Sequence, residues 1–266
     1  MSSTTFDSAR TGTGTKEWAE ITVNIQKGCA NNCLYCYAAD NAAKRYGGWR
    51  KREEWDREEL SKKAKINSYP LQTGVVMFPS THDITPFNVD AYMRVAKLIL
   101  QKGNRLLIVS KPRRDCIKQI LIALEPWQHQ IMFRFTIGAV APELVKFWEP
   151  GAPSPLERLG ALSDAAHLGF STSVSIEPML SGVDETLRVV EAVRHYDPET
   201  IWIGKMNKIQ TRVISAYATQ IDEIGRLQSD TEIMRLYRLL DGGADIRWKD
   251  SIKQVLASNN IKESQI

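Results

Sequence analysis

Short strand-like runs alternate with helix-like runs along most of this chain, and this alternation constrains the fold more than any other feature. The strand candidates are rich in Val, Ile or Phe and are bounded by turn or helix signals. They are Glu20–Gln26, Gly74–Ser80, Arg105–Ser110, Gln130–Gly138, Ser171–Ile176 and Thr200–Gly204. The helix candidates are Asn41–Tyr46, Val89–Gln101, Asp115–Leu124, Pro155–Leu168 and Asp184–His195, the last with Asp184 as its N-cap.

Six strand–helix units predict parallel strands joined by right-handed crossovers. Such units build either a doubly wound sheet or a whole or partial barrel. In both folds the ligand site lies at the carboxyl ends of the strands. We predict an α/β fold of the second kind, a partial (β/α)6 TIM-type barrel with a C-terminal helical extension.

Two of the predicted strands are polar on one face. Arg134 shares a face with Thr136, and Ser171–Glu177 places three serines and Glu177 on one face. Because a packed parallel strand is apolar on both faces, we expect these polar faces to line a wet, open lumen. The alternative is an antiparallel strand with one solvated face.

The chain divides into three predicted regions. Residues 1–18 are polar and lack an apolar run, so we expect a flexible N-terminal tail and no secretory signal. Residues 19–207 form the barrel, and residues 208–266 are mostly helical with one candidate short strand at Asp245–Lys249. We expect this last region to cap the barrel or close the substrate opening.

The composition, 43% hydrophobic and 25% charged, is typical of soluble globular proteins. No stretch approaches the roughly 20 apolar residues that span a bilayer, so we expect a cytoplasmic, monomeric protein without membrane contact. The formal net charge of +4 permits an anionic partner without requiring one.

Three of the four cysteines lie within eight residues, as Cys29, Cys33 and Cys36, directly after the first predicted strand. This clustering favours metal ligation over disulfides. A [4Fe–4S] cluster usually takes four thiolates, so three cysteines leave one iron free. That iron can bind the amino and carboxylate groups of S-adenosylmethionine (SAM), whose reductive cleavage yields a 5′-deoxyadenosyl radical.

Two other interpretations of the cysteines remain open. One is a zinc site with a distant fourth ligand, although closed zinc sites usually contain paired CxxC units and the sequence has no second pair. The other is free thiols. The corresponding non-enzymatic function is a zinc- or cluster-bearing nucleic-acid-binding module without radical chemistry.

The segment Cys29-Ala30-Asn31-Asn32-Cys33-Leu34-Tyr35-Cys36 carries the CxxxCxxC pattern, with an aromatic residue before the last cysteine, of the radical SAM superfamily. Its surroundings resemble the branch that contains spore photoproduct lyase and phage-encoded relatives. Three further segments resemble motifs of that branch. They are Pro79–Ile84, Val109–Lys111 and Ser175–Pro178. The matched motifs span about Cys29 to Pro178, and the region after Asn207 matches nothing in the branch.

The resemblance implies a [4Fe–4S] cluster on the three cysteines, bound SAM, and a reductant such as flavodoxin or ferredoxin. It implies that Tyr35 borders the SAM adenine and that His82 and Lys111 approach its methionine or ribose end. Ser80, Asp83 and Ser110 lie in the matched segments and complete the predicted cofactor-binding set.

Ser80 is a departure from the branch, because spore photoproduct lyase has a hydrogen-donating cysteine at this position. An O–H bond is much stronger than an S–H bond, so Ser80 is a poor hydrogen-atom donor. We therefore expect an activity other than photoproduct repair.

Polar residues also follow the later strands. We predict that Arg134 and Thr136 contact the cofactor and that Glu177, Lys205 and Asn207 act in catalysis, because all lie at or beyond the ends of strands four to six. Cys116, early in a predicted helix, is either a radical-quenching thiol or, as is more usual, a small buried hydrophobe.

The stretch Lys44–Lys65 combines many basic residues with Tyr46, Trp49 and Trp55. Basic side chains interleaved with aromatic ones are typical of segments that bind nucleic acids. The acidic residues in the same stretch are instead typical of a solvated helix. The predicted function is hydrogen abstraction from a bound substrate, with a nucleotide or nucleic acid as the first candidate.

Overall fold

The computed structural model describes residue 6, residues 12–44 and residues 48–261. The helices are α1 (Tyr37–Lys44), α2 (Val89–Leu100), α3 (Arg114–Leu124), α4 (Pro142–Trp148), α5 (Pro155–His167), α6 (Val183–Arg194), α7 (Ile209–Arg212), α8 (Ala218–Leu227), α9 (Asp230–Leu240) and α10 (Asp250–Ser258). The strands are β1 (Ile21–Thr22), β2 (Gln26–Lys27), β3 (Glu59–Leu60), β4 (Val75–Phe78), β5 (Arg105–Ser110), β6 (Ile131–Thr136), β7 (Ser171–Ile176), β8 (Thr200–Ile203) and β9 (Ile246–Trp248). Within these ranges, no helix is long and apolar enough to cross a bilayer.

One sheet organises the fold, with strands in the order β1-β4-β5-β6-β7-β8-β9 and every neighbouring pair parallel. The order follows the chain without the reversal of a doubly wound sheet. The α/β prediction is confirmed. Among the described strands the two edges, β1 and β9, do not pair with each other, so no closed barrel forms there. β2 and β3 form a separate antiparallel pair.

The main core lies between the helices and one face of the sheet. Val76, Leu106 and Ile131 stand side by side in register and are fully buried. They belong to one apolar cluster with side chains from α2, α3, α5, α6, α9 and α10. Right-handed crossovers between strands in sequential order place the helices on this face, and the opposite face is left for other segments to cover.

We call that opposite face the inner face and define it by Met77, Leu107, Met132 and Trp202, which pack in one buried cluster with Trp18. The prediction that the polar strand faces line a wet, open lumen is wrong at this level of the sheet. Arg134 is completely buried, and its guanidinium lies over the rings of Trp18 and Trp202 at 4.9 and 5.1 Å. The indole faces accept the cation, so apolar rings fill the space that the polar strand pattern assigned to water.

The N-terminal segment takes part in this packing. A 3₁₀ turn spans Gly14–Glu17, and Glu17 and Trp18 are buried although they belong to the region expected to be a flexible tail. Glu17 contacts Lys249, and the Trp18 ring contacts Trp202 and Arg134, all more than a hundred residues away. β9 likewise enters the main sheet from the region expected to form an extension, beside β8.

Several predicted elements have different bounds. The first predicted strand, Glu20–Gln26, is divided into β1 and β2, since the Ile25 backbone N–H donates to the His82 ring rather than to a strand. α4 was not predicted. The N-cap of α6 is Gly182, not Asp184, which lies in the first helical turn where its charge complements the helix dipole. The end of the predicted helix Asn41–Tyr46 lies outside the described residues.

Candidate functional site

The cysteine loop, residues 28–36, follows β2 directly and leads into α1. Gly28 has a φ of +76°, and a Cβ there would lie 2.1 Å from the Arg57 carbonyl oxygen, so only glycine fits this entry turn. The Cys29 N–H donates to the Trp55 carbonyl at 2.7 Å. At the other end, the Ala39 N–H in the first turn of α1 approaches Cys36 Sγ at 3.4 Å.

Residues 149–152 cover the other side of the cysteine loop. A Cβ on Gly151 would lie 1.9 Å from the Ala30 carbonyl oxygen, so the two backbones meet where a side chain has no room. The Arg113 guanidinium fastens the contact, because it donates to Asn31 Oδ1 at 3.0 Å and to the Gly151 carbonyl at 2.7 Å. The loop is therefore held from two sides.

The three thiols form no disulfide and are largely shielded from solvent. Cys29 and Cys33 are buried and Cys36 is half-buried. Burial raises the pKa of Cys33 to about 12, although Lys111 opposes the shift, and burial raises the pKa of Cys29 well above its usual range. The raised pKa values favour protonated thiols at Cys29 and Cys33, and metal binding would have to displace those protons.

Within residues 12–44 and 48–261, no group of three or more His, Cys, Asp and Glu side chains surrounds a single metal-ion position. The cysteine ligands of an iron–sulfur cluster bind separate irons. The three cysteines that the sequence predicts as cluster ligands do lie on one loop. Cys36 contributes to raising the pKa values of both Cys29 and Cys33.

Asp83 joins the cysteine loop to the end of β5. Its Oδ2 accepts the Asn31 side-chain amide at 2.7 Å and the Lys111 backbone N–H at 2.9 Å, while its Oδ1 accepts the Ile84 N–H at 2.7 Å and the Ser110 hydroxyl. Four donors satisfy a carboxylate that is 6% exposed. The structure therefore brings together the predicted residues Asp83, Ser110 and Lys111.

His82 is engaged by the backbone on both sides. Its Nε2 accepts the Ile25 N–H at 3.1 Å, which makes Nδ1 the donor to the Asp83 carbonyl at 3.1 Å. Burial lowers the pKa of His82 to about 4. These contacts are those of a neutral histidine that holds a loop.

Ser80 lies between the cysteine loop region and β1. The Asn24 side chain donates to its hydroxyl at 2.8 Å and accepts the backbone N–H groups of Ser80 and Thr81, each at 2.8 Å. The Tyr37 hydroxyl, one residue past the last cysteine, donates to the Ser80 carbonyl at 2.5 Å. Ser80 is thus fixed within reach of the residues that follow Cys36.

A buried carboxylate that the sequence did not single out, Glu149, is the centre of the charged groups beside Cys33. It accepts the Tyr35 hydroxyl, pairs with Arg158, and lies 3.7 Å from the Lys111 ammonium. Lys111 also lies 5.7 Å from the centre of the Tyr35 ring. Tyr35 and Lys111, which are far apart in sequence, are therefore positioned by one side chain.

The pKa values in this cluster follow from its charges. Burial alone would raise the pKa of Glu149, but Arg158, Lys111 and the hydrogen bonds from Tyr35 and Arg158 hold it below its usual range. Burial opposes the charge of Lys111, and Cys33 and Glu149 nevertheless raise its pKa. The carboxylate and both cations are charged at neutral pH.

Arg158 extends the cluster to the end of β6, where it donates to the Thr136 carbonyl at 3.2 Å and to the Pro153 carbonyl at 2.9 Å. It lies on the face of α5 that carries Ala161, Leu162 and Ala165, all buried. An arginine on an apolar helical face is the sequence signal that could have pointed to a buried ion pair.

The remaining predicted residues lie in two other places. Arg134 donates to Ser173 Oγ at 3.0 Å inside the inner-face cluster, and Glu177 lies 3.3 Å from the Lys249 ammonium at the end of β7. Lys205 approaches Asp230 at 3.7 Å, and Asn207 is exposed. Lys205 and Asn207 make none of the described contacts that tie Asp83 or Glu149 to the cysteine loop.

Cys116 is buried in the main core on α3, and burial raises its pKa to about 11. This environment matches that of a small hydrophobe. It is distinct from the cysteine loop.

A groove of about 640 Å³ borders the site outside α1. It is lined by Asn24, Gln26, Lys27, Ala38, Asn41, Ala42, Trp49, Trp55, Glu59, Leu60, Ser61, Lys62, Lys63 and Thr81. Trp49 is 47% exposed and packs edge-on against the buried Trp55 at 6.2 Å. Asn24 and Thr81 place one end of the groove beside Ser80.

No protein-family model matches the sequence, and no curated protein matches it either. Solved structures do match. A Tyr-to-Phe mutant of spore photoproduct lyase matches with a TM-score of 0.55 at 15% identity, over 86% of this chain and 76% of that one. A Cys-to-Ser mutant of the same enzyme matches with a TM-score of 0.53 at 19% identity, over 74% of this chain.

The chain is similar in fold to spore photoproduct lyase. This likeness confirms, at the level of the fold, the resemblance carried by the cysteine motif. The match covers 60% of the Cys-to-Ser mutant of spore photoproduct lyase, so a large part of that enzyme has no counterpart in the alignment.

Proposed function

We propose that this chain is a radical SAM enzyme. The observation that carries the proposal is that Cys29, Cys33 and Cys36 share one loop, which Asp83 ties to the carboxyl end of β5. The fold around this loop is similar to that of spore photoproduct lyase. In folds of this kind, residues at the carboxyl ends of the strands perform the chemistry.

The donor set fits a [4Fe–4S] cluster with an open iron. Three thiols belong to one loop, and the described residues add no fourth thiol there, since Cys116 lies in the main core. Cys29, Cys33 and Cys36 would hold the cluster. Held there, the cluster would supply the electron for a one-electron reductive cleavage of SAM, the chemistry that starts hydrogen abstraction.

The chain's own residues would orient and shield this chemistry. Lys111, charged and mostly buried, would offset the negative charge of the thiolates and approach the SAM methionine or ribose end. Glu149 fixes Lys111 and Tyr35, and Tyr35 would border the adenine. Asp83 and Ser110 hold the loop against β5, and buried side chains exclude water.

Other predicted roles remain proposals. Glu177 would contact substrate from the inner face, with Arg134 and Thr136 supporting the cofactor side. Ser80, next to Tyr37, would face the substrate, and His82 would shape the loop through its backbone contacts. Lys205 and Asn207 would act in catalysis near the substrate opening of the barrel.

We propose further that the sheet belongs to a partial (β/α)6 barrel within residues 19–207, which the described residues 12–18 and 208–261 cover. The sequential parallel strand order supports this geometry. The enzyme would act as a cytoplasmic monomer and receive electrons from a flavodoxin or ferredoxin.

For the substrate we propose a nucleotide or nucleic acid. The groove beside Ser80 combines Trp49 with the cations Lys27, Lys62 and Lys63, and the groove acid Glu59 is paired with Arg50. Aromatic faces stack bases and lysines bind phosphates. This combination supports an aromatic, anionic ligand that reaches the site along the groove.

The test is anaerobic reconstitution with iron and sulfide, followed by assay of 5′-deoxyadenosine from SAM under reductant. Wild-type protein is expected to turn brown and release 5′-deoxyadenosine, Cys33→Ala to do neither, and the matched control Cys116→Ala to do both. Colourless protein with stoichiometric zinc would instead support the nucleic-acid-binding module, and a cluster that never cleaves SAM would contradict the enzyme.

A further inference from the structure

The ammonium of Lys249 lies where three distant segments of the chain meet. It donates to the Gly14 carbonyl at 2.9 Å, lies 2.9 Å from Glu17 Oε1 and lies 3.3 Å from Glu177 Oε2. The side chain is 1% exposed, and its ammonium is 4.0 Å from the centre of the Trp18 ring. A buried lysine needs such compensation, because an unpaired buried charge is costly.

The backbone around Lys249 is fixed as firmly as its side chain. Its N–H donates to the Ile203 carbonyl of β8 at 2.9 Å, which continues the β8–β9 pairing. The next residue, Asp250, donates its N–H to Glu17 Oε2 at 3.0 Å at the start of α10. Glu17 is therefore held by two consecutive residues of the C-terminal region.

We propose that Lys249 is a positioning residue for Glu177, and that through it the segment Gly14–Glu17 and the start of α10 complete the inner face of the site. The importance of Glu177 to the reaction rests on the proposed function, whereas the contact does not. Lys249 holds one carboxylate oxygen, and 21% of the Glu177 side chain stays exposed for a substrate to reach.

Charged groups from three segments influence the pKa of Glu177. Burial raises its pKa, Lys249 lowers it, Glu17 raises it and Arg134 lowers it. Tyr37, whose own pKa burial raises to about 12, stays neutral at pH 7. Among the described residues, Lys249 contacts the Glu177 carboxylate directly, whereas the Arg134 guanidinium lies over two indole rings.

The role is tested in the full-length protein, without cluster or SAM, by ¹³C NMR titration of carboxyl-labelled glutamates. Glu177→Gln identifies the Glu177 resonance by its disappearance. Lys249→Met is expected to raise the pKa of Glu177 by about one unit or more, since a contacting opposite charge lowers a carboxyl pKa by about 1–3 units. Lys249→Arg keeps the charge and is expected to keep the wild-type value within about half a unit.

The matched control is Lys253→Met, four residues further along in α10, which is expected to leave the Glu177 titration unchanged. Hydrogen exchange of residues 12–18 gives a second readout, with faster exchange expected in Lys249→Met than in Lys249→Arg. If Lys249→Met folds poorly, the other two variants still test the assignment. A Glu177 pKa that changes in Lys253→Met, or one that changes in Lys249→Arg, would contradict it.

An unchanged Glu177 pKa and unchanged exchange in Lys249→Met would overturn the positioning role, whatever the protein does with SAM. A shifted pKa in a protein that never cleaves SAM would leave the role in place and remove the proposed function.

Discussion

The Asn31 side-chain amide, in the middle of the cysteine loop, donates to Asp83 Oδ2 at 2.7 Å. This hydrogen bond is charge-assisted and buried, and such bonds are stronger than neutral ones. Because the same carboxylate also binds the Ser110 hydroxyl and the Lys111 N–H, Asp83 fixes the distance between the loop and β5.

Asp83→Asn should lower both the stability of the fold and the amount of iron that the site binds. An amide at this position presents an N–H₂ group to donors that need an acceptor, so we expect a loss of about 2–4 kcal/mol in the free energy of unfolding. Iron bound after reconstitution should fall in parallel. Urea titration and iron analysis measure both. Asp90→Asn, at an exposed position on α2, is the control, and equal behaviour of the two variants would contradict the role of Asp83.

Glu149→Gln removes the counter-charge of a fully buried arginine, Arg158. We expect a loss of about 3–5 kcal/mol, the usual cost of breaking a buried pair. The exposed Glu143→Gln on the preceding helix should cost little. Thermal unfolding at pH 7 compares them.

The same pair gives a pH dependence. The folded-state pKa of Glu149 lies below its ordinary value of 4.5. Its contribution to stability is therefore complete above about pH 4.5 and is lost as the pH falls through the folded-state value. Glu149→Gln should lack this part of the acid sensitivity, and an identical acid profile in both proteins would refute it.

His82 supplies a second pH dependence in a higher range. Its folded-state pKa is about 4 and its ordinary value is 6.5, so the unfolded state binds the proton first. Stability should therefore fall as the pH is lowered from about 6.5 toward 4. His82→Gln, which can still accept from the Ile25 N–H, should show a flatter profile between these values. Urea unfolding at pH 7 and pH 5 tests this, and equal slopes for the two proteins would count against a neutral, buried His82.

Trp49→Ala tests the groove. Stacking of a base on an aromatic side chain contributes about 1–3 kcal/mol, so we expect binding of a short single-stranded oligonucleotide to weaken about 5- to 150-fold. Leu156→Ala removes an apolar side chain that is 80% exposed on α5 and serves as the control. Fluorescence anisotropy measures both, and equal affinity for the two variants would exclude Trp49 as a stacking residue.

The sequence predicted the parallel sheet well because strand composition and helix periodicity are local. β5 and β7 have the predicted bounds, α2, α3 and α5 differ by one residue at one end, and α6 differs by one residue at each end. α4 was missed although Pro142 and Glu143 at its start are ordinary helix-start signals.

The parts that the sequence did not predict depend on long-range contacts. Trp18 covers Arg134, and Glu149 pairs with Arg158 and Lys111, yet nothing in the local pattern of Trp18 or Glu149 indicates its partners. The cysteine motif could be interpreted because its three cysteines lie close together in the sequence. Roles that need two distant segments, such as that of Lys249, required the structure.

The electron paramagnetic resonance spectrum of the reduced, reconstituted protein, recorded with and without SAM, tests the central claim most directly. If the three cysteines hold a cluster with an open iron, its [4Fe–4S]⁺ signal is expected to change when SAM is added, because SAM would bind the open iron. A cluster signal that SAM leaves unchanged, or zinc in place of a cluster, would contradict the account.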